Sequence, residues 1–372
     1  MVDVEVERPP QPSPEPGEAR PSVGWRVAGL LVRVVTLVAG IVVFVIALEL
    51  IKRGAAGYGS HVLGLLEVRT SASALGLGWL LAYLFLSGSP VAALAVSLFA
   101  AQAIDPLQTL MMITGSRLGS ALVVLLAGLV YAVRGARSQE GVAVGVLAML
   151  TTAAIYLPAM ELATWLVVSG VVAVPDVTAT EPLSSLLDPL VDPVAALVAA
   201  FLPLWALIVV GVLTMLGAFA LIDRALPSIH HDGAAMQRAG RLADSPLAMF
   251  LLGAGVTAVT LSVSVSVSAL VPLAARGLVR RERAVPYIMG ANITTLIDTL
   301  VAALLTGGPP AFIIVLVKMV SVTVVSLLAL LLAYRRFERL LLLLQEGAMR
   351  DRRAMLIFVA LLVCVPLGLL AL

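Results

Sequence analysis

Long apolar runs without charged residues limit most strongly how this chain can fold. A helix needs about 20 apolar residues to cross the hydrocarbon core of a bilayer, and several runs reach that length. Charged residues make up only 12% of the 372 residues, well below the share of about 25% in soluble domains. The sequence therefore predicts an all-α membrane protein with several spans. A soluble enzyme, a nucleic-acid-binding module and a disulfide scaffold are excluded as classes.

Two of the apolar runs are interrupted near their middle by small polar residues. Residues 74–104 contain Ser87-Gly88-Ser89-Pro90, and residues 246–275 contain alternating Ser and Val over 262–268. Each half is too short to cross the membrane alone, and irregular backbone at that depth needs cover from protein or a wet cavity. We expect two re-entrant helical hairpins with polar tips. The alternative for each run is one long tilted helix whose Ser hydroxyls bond to the preceding turn.

The distribution of basic residues supports the hairpins, because cytoplasmic loops of membrane proteins are enriched in Lys and Arg. We place the N-terminus in the cytoplasm and the protein in the inner membrane. The basic clusters then share the cytoplasmic side, at 134–137, 224–241, 276–283 and 335–353. Lys52, Arg53 and Arg69 are exceptions on the outer side. Arg280 to Arg283 are expected to set the topology, with binding of anionic lipid head groups as an alternative role.

The two interrupted runs belong to an internal repeat, which appears when the chain is aligned on itself without a gap. Leu86-Ser87-Gly88-Ser89 aligns on Leu261-Ser262-Val263-Ser264, and in the same register the segment 115–120 aligns on 290–295. Three predicted crossings separate the copies, so the second copy is expected to be inverted. Inverted repeats with broken segments are typical of secondary transporters, whose site lies near the membrane midplane. We expect 115–120 and 290–295 each to interrupt a helix at membrane depth.

The repeat and the polar segments give the predicted organisation of the chain. Residues 1–22, rich in Pro and Glu, predict a disordered cytoplasmic tail. The first repeat is predicted at 23–175, an extracellular loop at 176–193, the second repeat at 194–334, and a cytoplasmic linker with a final span at 335–372. Outside the hairpins, we expect spanning helices at 27–50, 107–133, 142–174, 194–222, 284–305, 311–334 and 354–372.

Three motifs mark the second copy: Ser-Ala-Leu-Val-Pro at 268–272, Arg-Glu-Arg-Ala-Val-Pro at 281–286 and Gly-Ala-Asn-Ile-Thr-Thr at 290–295. Together they resemble the type II sodium-dependent phosphate cotransporters and their bacterial relatives. That family carries Gln-Ser-Ser-Ser in each hairpin, followed at matching distance by a Gly-Asn-Thr-Thr element. The resemblance covers residues 74–305. It implies an inverted-repeat symporter whose hairpin hydroxyls and helix ends hold phosphate and sodium.

The resemblance implies a binding site lined by residues that match the family motifs: Ser87, Ser89, Ser262, Ser264, Asn292 and Thr295. We expect neighbouring polar residues to contribute as well: Arg117, Ser120, Ser266, Thr294 and Asp298. The chain also departs from the family pattern. Leu86 and Leu261 stand where the family has Gln, and Arg117 replaces the Asn of the first copy. The lost amides remove groups that bind ions.

Charged residues within the apolar runs have alternative interpretations. The Arg117 guanidinium could bind an oxyanion bidentately, or pair with Asp298 and hold the two copies together. Asp298 could bind a cation, carry a proton or serve only as that partner. Glu161 could pack between helices or line a cavity. Lys318 is expected to extend to the membrane interface. His230-His231-Asp232 is expected to lie in a solvated loop rather than to bind a metal.

The sequence therefore predicts an ion-coupled symporter and not an enzyme. Phosphate or a similar oxyanion is the expected substrate, sodium the expected coupling ion, and alternating access the mechanism. No other cofactor and no nucleic acid are expected; membrane lipids and a second copy in a homodimer are expected partners. The rival hypothesis is a non-transporting scaffold or sensor with a degenerate site. A polar cavity between the hairpin tips would favour transport, and a dry apolar centre would favour the scaffold.

Overall fold

The computed structural model describes residues 23–65, 68–133, 138–175, 188–226, 245–275, 279–306 and 308–372. Within these ranges, all regular secondary structure is helical. The first half contains α1 (Val23–Leu65), α2 (Ser71–Phe85), α3 (Ser89–Ala100), α4 (Pro106–Val133) and α5 (Ser138–Val168). The remaining helices are α6 (Asp188–Phe201), α7 (Leu204–Ala225), α8 (Pro246–Thr260), α9 (Val263–Ser268), α10 (Leu270–Ala275), α11 (Arg281–Thr294), α12 (Leu296–Thr306), α13 (Gly308–Leu332), α14 (Tyr334–Met349) and α15 (Arg352–Leu370).

Seven helical segments of the described chain are long and apolar enough to cross a membrane. They are Gly29–Gly59, Pro106–Val133, Glu140–Val168, Leu204–Ala225, Arg281–Thr306, Gly308–Leu332 and Arg352–Leu370. Each overlaps one of the spans expected from the apolar runs, which confirms the prediction of an all-α, multi-pass membrane protein. The predicted tail at 1–22, the loop residues 176–187 and the His230-His231-Asp232 cluster lie outside the described residues.

Both interrupted runs are broken where the polar residues begin. Helix α2 ends at Leu86 with φ 49°, and α8 ends at Leu261 with φ 52°, both in the left-handed region. A right-handed helix cannot continue through a residue of that conformation. The alternative of one unbroken tilted helix is therefore excluded for both runs. The arms on either side of each break contact each other, α2 with α3 and α8 with α9.

Helix bounds and close contacts in one copy recur in the other, in the register that aligns Leu86 on Leu261. In this register α2 and α8 start and end at equivalent positions, and α4 and α11 start at equivalent positions. A Cβ on Gly115 would lie 2.8 Å from the Trp79 backbone nitrogen, and one on Gly290 would lie 2.9 Å from that of Ala254. These two contact pairs are equivalent as well. Glycine in these places lets the backbones of α2 and α4, and of α8 and α11, approach closely.

The expectation of an interrupted helix at 115–120 was wrong. Helix α4 runs unbroken through this segment, and the Ser116 and Ser120 hydroxyls donate to carbonyls within it, at 2.7 and 3.0 Å. The interruption expected at 290–295 is confined to one residue, Thr295, which separates α11 from α12 and keeps helical dihedrals. Conversely, the span expected at 194–222 is divided between α6 and α7, because Pro203 has extended dihedrals. Helix α1 is longer than the apolar run that predicted it.

Candidate functional site

A cavity of about 380 Å³ lies between the two helix breaks. The first break contributes Ser87, and the second contributes Ser262, Ser264 and Ser268. Helix α7 adds Asp223. The remaining lining residues are mostly apolar: Phe85, Leu86, Pro90, Val123, Leu216, Phe219, Ala220 and Val265. Hydroxyl groups from both copies thus share one cavity with one carboxylate.

Local sequence places the two tips against α4. A Cβ on Gly88 would lie 2.7 Å from the Ser116 carbonyl oxygen, so glycine allows the first tip to approach that helix. In the second tip, Ser262 caps α9 by accepting a hydrogen bond from the Val265 backbone N–H at 3.3 Å. The Ser264 hydroxyl donates to the Ser120 carbonyl oxygen, also at 3.3 Å. Both tips therefore contact the same stretch of α4.

Arg117 lies one helical turn before Ser120 and is 2% exposed. Its guanidinium donates to the Asp298 carboxylate at 3.1 Å and to the hydroxyls of Thr295 and Thr299 at 3.0 and 2.5 Å. Thr299 in turn donates to the same Asp298 oxygen at 2.8 Å. This buried ion pair joins the two copies. Of the two interpretations of Arg117, the pairing with Asp298 is the one observed, and Arg117 does not line the cavity.

The ion pair retains unused hydrogen-bonding capacity. Arg117 Nε and Asp298 Oδ2 are both buried and have no hydrogen-bond partner among the described residues. Leaving such groups unpaired in a low-dielectric interior costs free energy. A ligand that reached Arg117 Nε or Asp298 Oδ2 would therefore add a hydrogen bond that the ion pair does not make.

The other predicted site residues bond within or between helices. Asn292 donates to the Thr152 hydroxyl at 3.1 Å, Thr294 donates to the Ala254 carbonyl at 2.9 Å, and Ser266 lies 2.9 Å from the Tyr287 hydroxyl. Ser89 is buried at the start of α3. The structure thus brings Ser87, Ser262 and Ser264 into one cavity and Arg117, Thr295 and Asp298 into one cluster. Ser120 links the two, because its carbonyl accepts from Ser264 and its hydroxyl donates to the Arg117 carbonyl. Ser89, Ser266, Asn292 and Thr294 lie in neither.

Sequence reasoning missed Asp223, the carboxylate in the cavity. It stands in the last turn of α7, directly after a long apolar run, next to Arg224. The neighbouring arginine suggested an ordinary loop boundary. An acid placed against the end of an apolar span was the signal that could have identified it. Glu161, in contrast, is exposed on α5 and does not line the cavity.

The expectation that Lys318 extends to the membrane interface was wrong. Its side chain is fully buried, because this part of α13 packs against α5. The ammonium lies 3.5 Å from the Tyr156 carbonyl oxygen and 5.2 Å from the centroid of the Tyr156 ring. No acid of the described chain forms an ion pair with it. The Tyr156 hydroxyl donates to the Asn292 carbonyl at 2.8 Å, so this tyrosine of the first copy contacts both Asn292 and Lys318 of the second.

Replacing Lys318 with Met is expected to raise the free energy of unfolding by about 1–3 kcal/mol, because it removes a buried amine with a single long hydrogen bond and keeps the volume. The measurement is the midpoint of thermal unfolding in detergent. Lys52→Met is the control, since Lys52 is partly exposed and its ammonium lies 3.6 Å from Glu49. A lower midpoint for Lys318→Met than for the control would contradict the expectation.

Seven spans and a polar cavity between two broken apolar segments are typical of secondary transporters. Residues 204–366 match the model of a family described as Na+/Pi-cotransporter, and this match supports membership of the chain in that family. The match agrees with the resemblance of the second-copy motifs at 268–295 to this family. The matched range begins at α7 and ends in α15, so it includes the second helix break and not the first. Comparison with curated proteins and with solved structures gave no match.

The family match supports a sodium-coupled transporter rather than an enzyme class. The matched range contains Asp223, Ser262, Ser264 and Asp298. Ser87 and Arg117 come from the part of the chain that precedes it.

Proposed function

We propose that the protein is a sodium-coupled symporter of inorganic phosphate that works by alternating access. The observation that carries this proposal is the cavity in which Ser87 of one copy meets Ser262 and Ser264 of the other. Four serines and one carboxylate line this cavity beside eight apolar residues, and these polar groups favour transport over the rival scaffold, for which a dry apolar centre was expected. The family match supplies the expected ion and substrate.

The proposed architecture is an inverted repeat with two re-entrant hairpins. Equivalent helix bounds and equivalent glycine contacts in the two copies support the repeat. The arms α2, α3, α8 and α9–α10 belong to the helices too short to count as spans, which supports re-entrance. The second arm of each hairpin also contacts a helix of the other copy, α3 with α12 and α9 with α4. Such an interlocked centre suits a site shared by both copies.

We place sodium in the cavity. Sodium is a small, hard cation that prefers oxygen ligands, and the cavity offers serine hydroxyls and the Asp223 carboxylate. No basic side chain of the described chain lines it, which makes it a poorer site for an oxyanion. The carboxylate also supplies the charge that a cation needs when it leaves water.

We place phosphate at Arg117. An oxyanion that reaches the guanidinium would compete with Asp298 and could use the unpaired Nε as well. The exchange of Asp298 for phosphate would open the ion pair that joins the copies. In this proposal, that exchange couples binding to the movement of one copy against the other.

A cytoplasmic N-terminus in an inner membrane remains part of the proposal, as does the homodimer. Three basic residues oppose this orientation because they fall on the outer side: Lys52, Arg53 and Arg69. The Lys52 ammonium and the Arg53 guanidinium lie 3.6 and 2.7 Å from Glu49, and Arg53 also pairs with Asp192. These acids do not remove the opposition, because the orientation follows the number of basic residues rather than the net charge.

The test is uptake of labelled phosphate into proteoliposomes. An inward sodium gradient is expected to drive accumulation, and a potassium gradient is not. Ser264→Ala and Asp223→Asn are each expected to lower the initial rate at least about tenfold, because a cation would lose an oxygen ligand in a confined site. Ser97→Ala is the control: Ser97 is buried on α3, its hydroxyl donates to the Ala93 carbonyl, and it does not line the cavity. Uptake indifferent to sodium and to both substitutions would refute the assignment.

A further inference from the structure

A second cavity, of about 290 Å³, lies where the N-termini of three helices meet. It is lined by the beginnings of α8, α11 and α14, and it does not share residues with the cavity between the helix breaks. Its charged side chains are Arg280, Arg283 and Arg335, with Glu282 and Glu338. Arginine therefore outnumbers acid in this cavity, which we call the basic pocket.

In the basic pocket, Glu338 has a hydrogen-bond partner, whereas Arg280 and Arg335 form no ion pair with a described residue. The Tyr334 hydroxyl lies 2.9 Å from the Glu338 carboxylate and 3.1 Å from the Glu282 carbonyl oxygen, so it ties α14 to α11. Burial raises the pKa of Tyr334, and Glu338 acts in the same direction, so this hydroxyl stays neutral and remains a donor. Arg280 and Arg335 are exposed, and neither forms an ion pair with a described residue.

Arg281, in contrast, is already held in an ion pair. It forms two hydrogen bonds to the Glu140 carboxylate, at 2.7 and 2.6 Å, and so fixes the start of α11 to α5. It does not line the basic pocket. The sequence places Arg280 and Arg281 side by side, but the structure gives Arg281 a bidentate partner and leaves Arg280 at the pocket.

The helix ends add positive potential at the same place. The N-cap residues of α8, α11 and α14 are Ser245, Arg280 and Ala333, and none makes a side-chain capping hydrogen bond. The first backbone N–H groups of a helix lack partners within the helix, and the helix dipole favours an anion there. Three such ends together with the Arg280 and Arg335 guanidinium groups form a site for a group with several negatively charged oxygens.

The position of α14 indicates where that group would come from. Helix α14 lies between the spans α13 and α15, with exposed leucines at 340, 343 and 344 and arginines at 335, 336 and 339. An amphipathic helix of this kind lies in the plane of the membrane interface. The basic pocket therefore opens at the depth of the phospholipid head groups.

We propose that the basic pocket binds a phosphate group, carried by the head group of an anionic phospholipid or present as free phosphate. Bound there, the phosphate would join the first arm of the second hairpin, α8, to α11 and to the interface helix α14. Membrane composition or cytoplasmic phosphate would then act on the half of the protein that holds Ser262 and Ser264. This site is separate from the proposed transport site and does not depend on it.

The test compares binding to the full-length protein and two double variants in detergent, by native mass spectrometry and thermal unfolding. Phosphatidylglycerol is expected to bind the wild type and R336Q/R339Q equally, and R280Q/R335Q at least about tenfold more weakly, because charge-assisted hydrogen bonds are lost. Phosphatidylcholine serves as the neutral lipid. The control pair lies on the same helix as Arg335 but outside the basic pocket. A third double variant, R280K/R335K, is added to these proteins; it keeps the charge and is expected to retain most of the binding.

Inorganic phosphate is the second arm of the experiment. If phosphatidylglycerol loses affinity only in R280Q/R335Q, the head group is the source. If inorganic phosphate alone stabilises the protein in a way that requires Arg280 and Arg335, free phosphate is the source. Equal binding of both probes to all three proteins would overturn the proposal. Failure of sodium-driven uptake would not affect this result, because the variants leave the cavity between the helix breaks unchanged.

Discussion

Gly253→Ala is expected to destabilise the folded protein by about 3 kcal/mol or more, whereas Gly255→Ala on the same helix is expected to be tolerated. A Cβ on Gly253 would lie 2.7 Å from the carbonyl carbon and 2.9 Å from the Cα of Tyr287, and backbone atoms cannot rotate away as a side chain can. Forcing α8 and α11 apart is a form of overpacking, and we expect its free-energy cost to lie at or above the top of the usual range of about 1–3 kcal/mol. A Cβ on Gly255 meets no atom within 4 Å, so that position gains only the helix propensity of Ala.

The measurement is the yield of monodisperse protein together with the midpoint of thermal unfolding. Gly78→Ala is expected to be as damaging as Gly253→Ala, because Gly78 has the same relation to Met112 in the first copy: a Cβ would lie 2.9 Å from the Met112 carbonyl carbon. Equal tolerance of Gly253→Ala and Gly255→Ala would show that the close packing of α8 on α11 is wrong. A severe effect in one copy only would argue against the repeat.

Arg117→Met is expected to cost about 3–5 kcal/mol of stability, because it leaves the Asp298 carboxylate buried without its cation. The double variant Arg117→Met/Asp298→Asn is expected to recover most of this loss, since the amide is neutral and the Thr299 hydroxyl remains as its partner. Arg53→Met is the control. Arg53 also pairs with acids but is about a third exposed, where an ion pair is worth about 1 kcal/mol or less.

The same double variant separates the two interpretations of Arg117. If the guanidinium binds phosphate, the variant is folded but accumulates no phosphate in the proteoliposome assay. If Arg117 serves only to hold the copies together, the folded double variant transports like the wild type, and the proposed phosphate site is wrong. A stability loss in the double variant as large as in the single one would instead show that the pair itself is not the source of the cost.

The spans and the helix breaks could be predicted from the sequence because the bilayer imposes them. Membrane thickness sets a minimum length for a spanning helix, and a charge or a cluster of small polar residues within it is conspicuous. The small polar residues at 87–90 and 262–268 marked both interruptions, and the structure places the breaks directly before them, at Leu86 and Leu261. The second-copy motifs at 281–286 and 290–295 were sufficient to indicate the family.

The partners of polar side chains could not be predicted, because they depend on which face of each helix turns inward. Arg117 offered two interpretations, and only the packing of α4 near α12 selected Asp298. Lys318 looked able to reach the interface, yet α13 turns it toward α5. The segment 115–120 looked like a break, but its serines bond within α4. These three results depend on how the helices pack in three dimensions, and no local sequence pattern specifies that packing.

The left-handed leucines at the two breaks have a consequence for the energy of the resting state. A residue with a β-carbon in this conformation is less stable by about 1–2 kcal/mol than in a right-handed helix, and Leu86 and Leu261 both bear this cost. Any rearranged state that let one of them relax would gain that amount, which is about a 5- to 30-fold change in population. The conformation described here therefore carries backbone strain at both helix breaks. Glycine at both positions would remove this strain and leave the conformation more heavily populated.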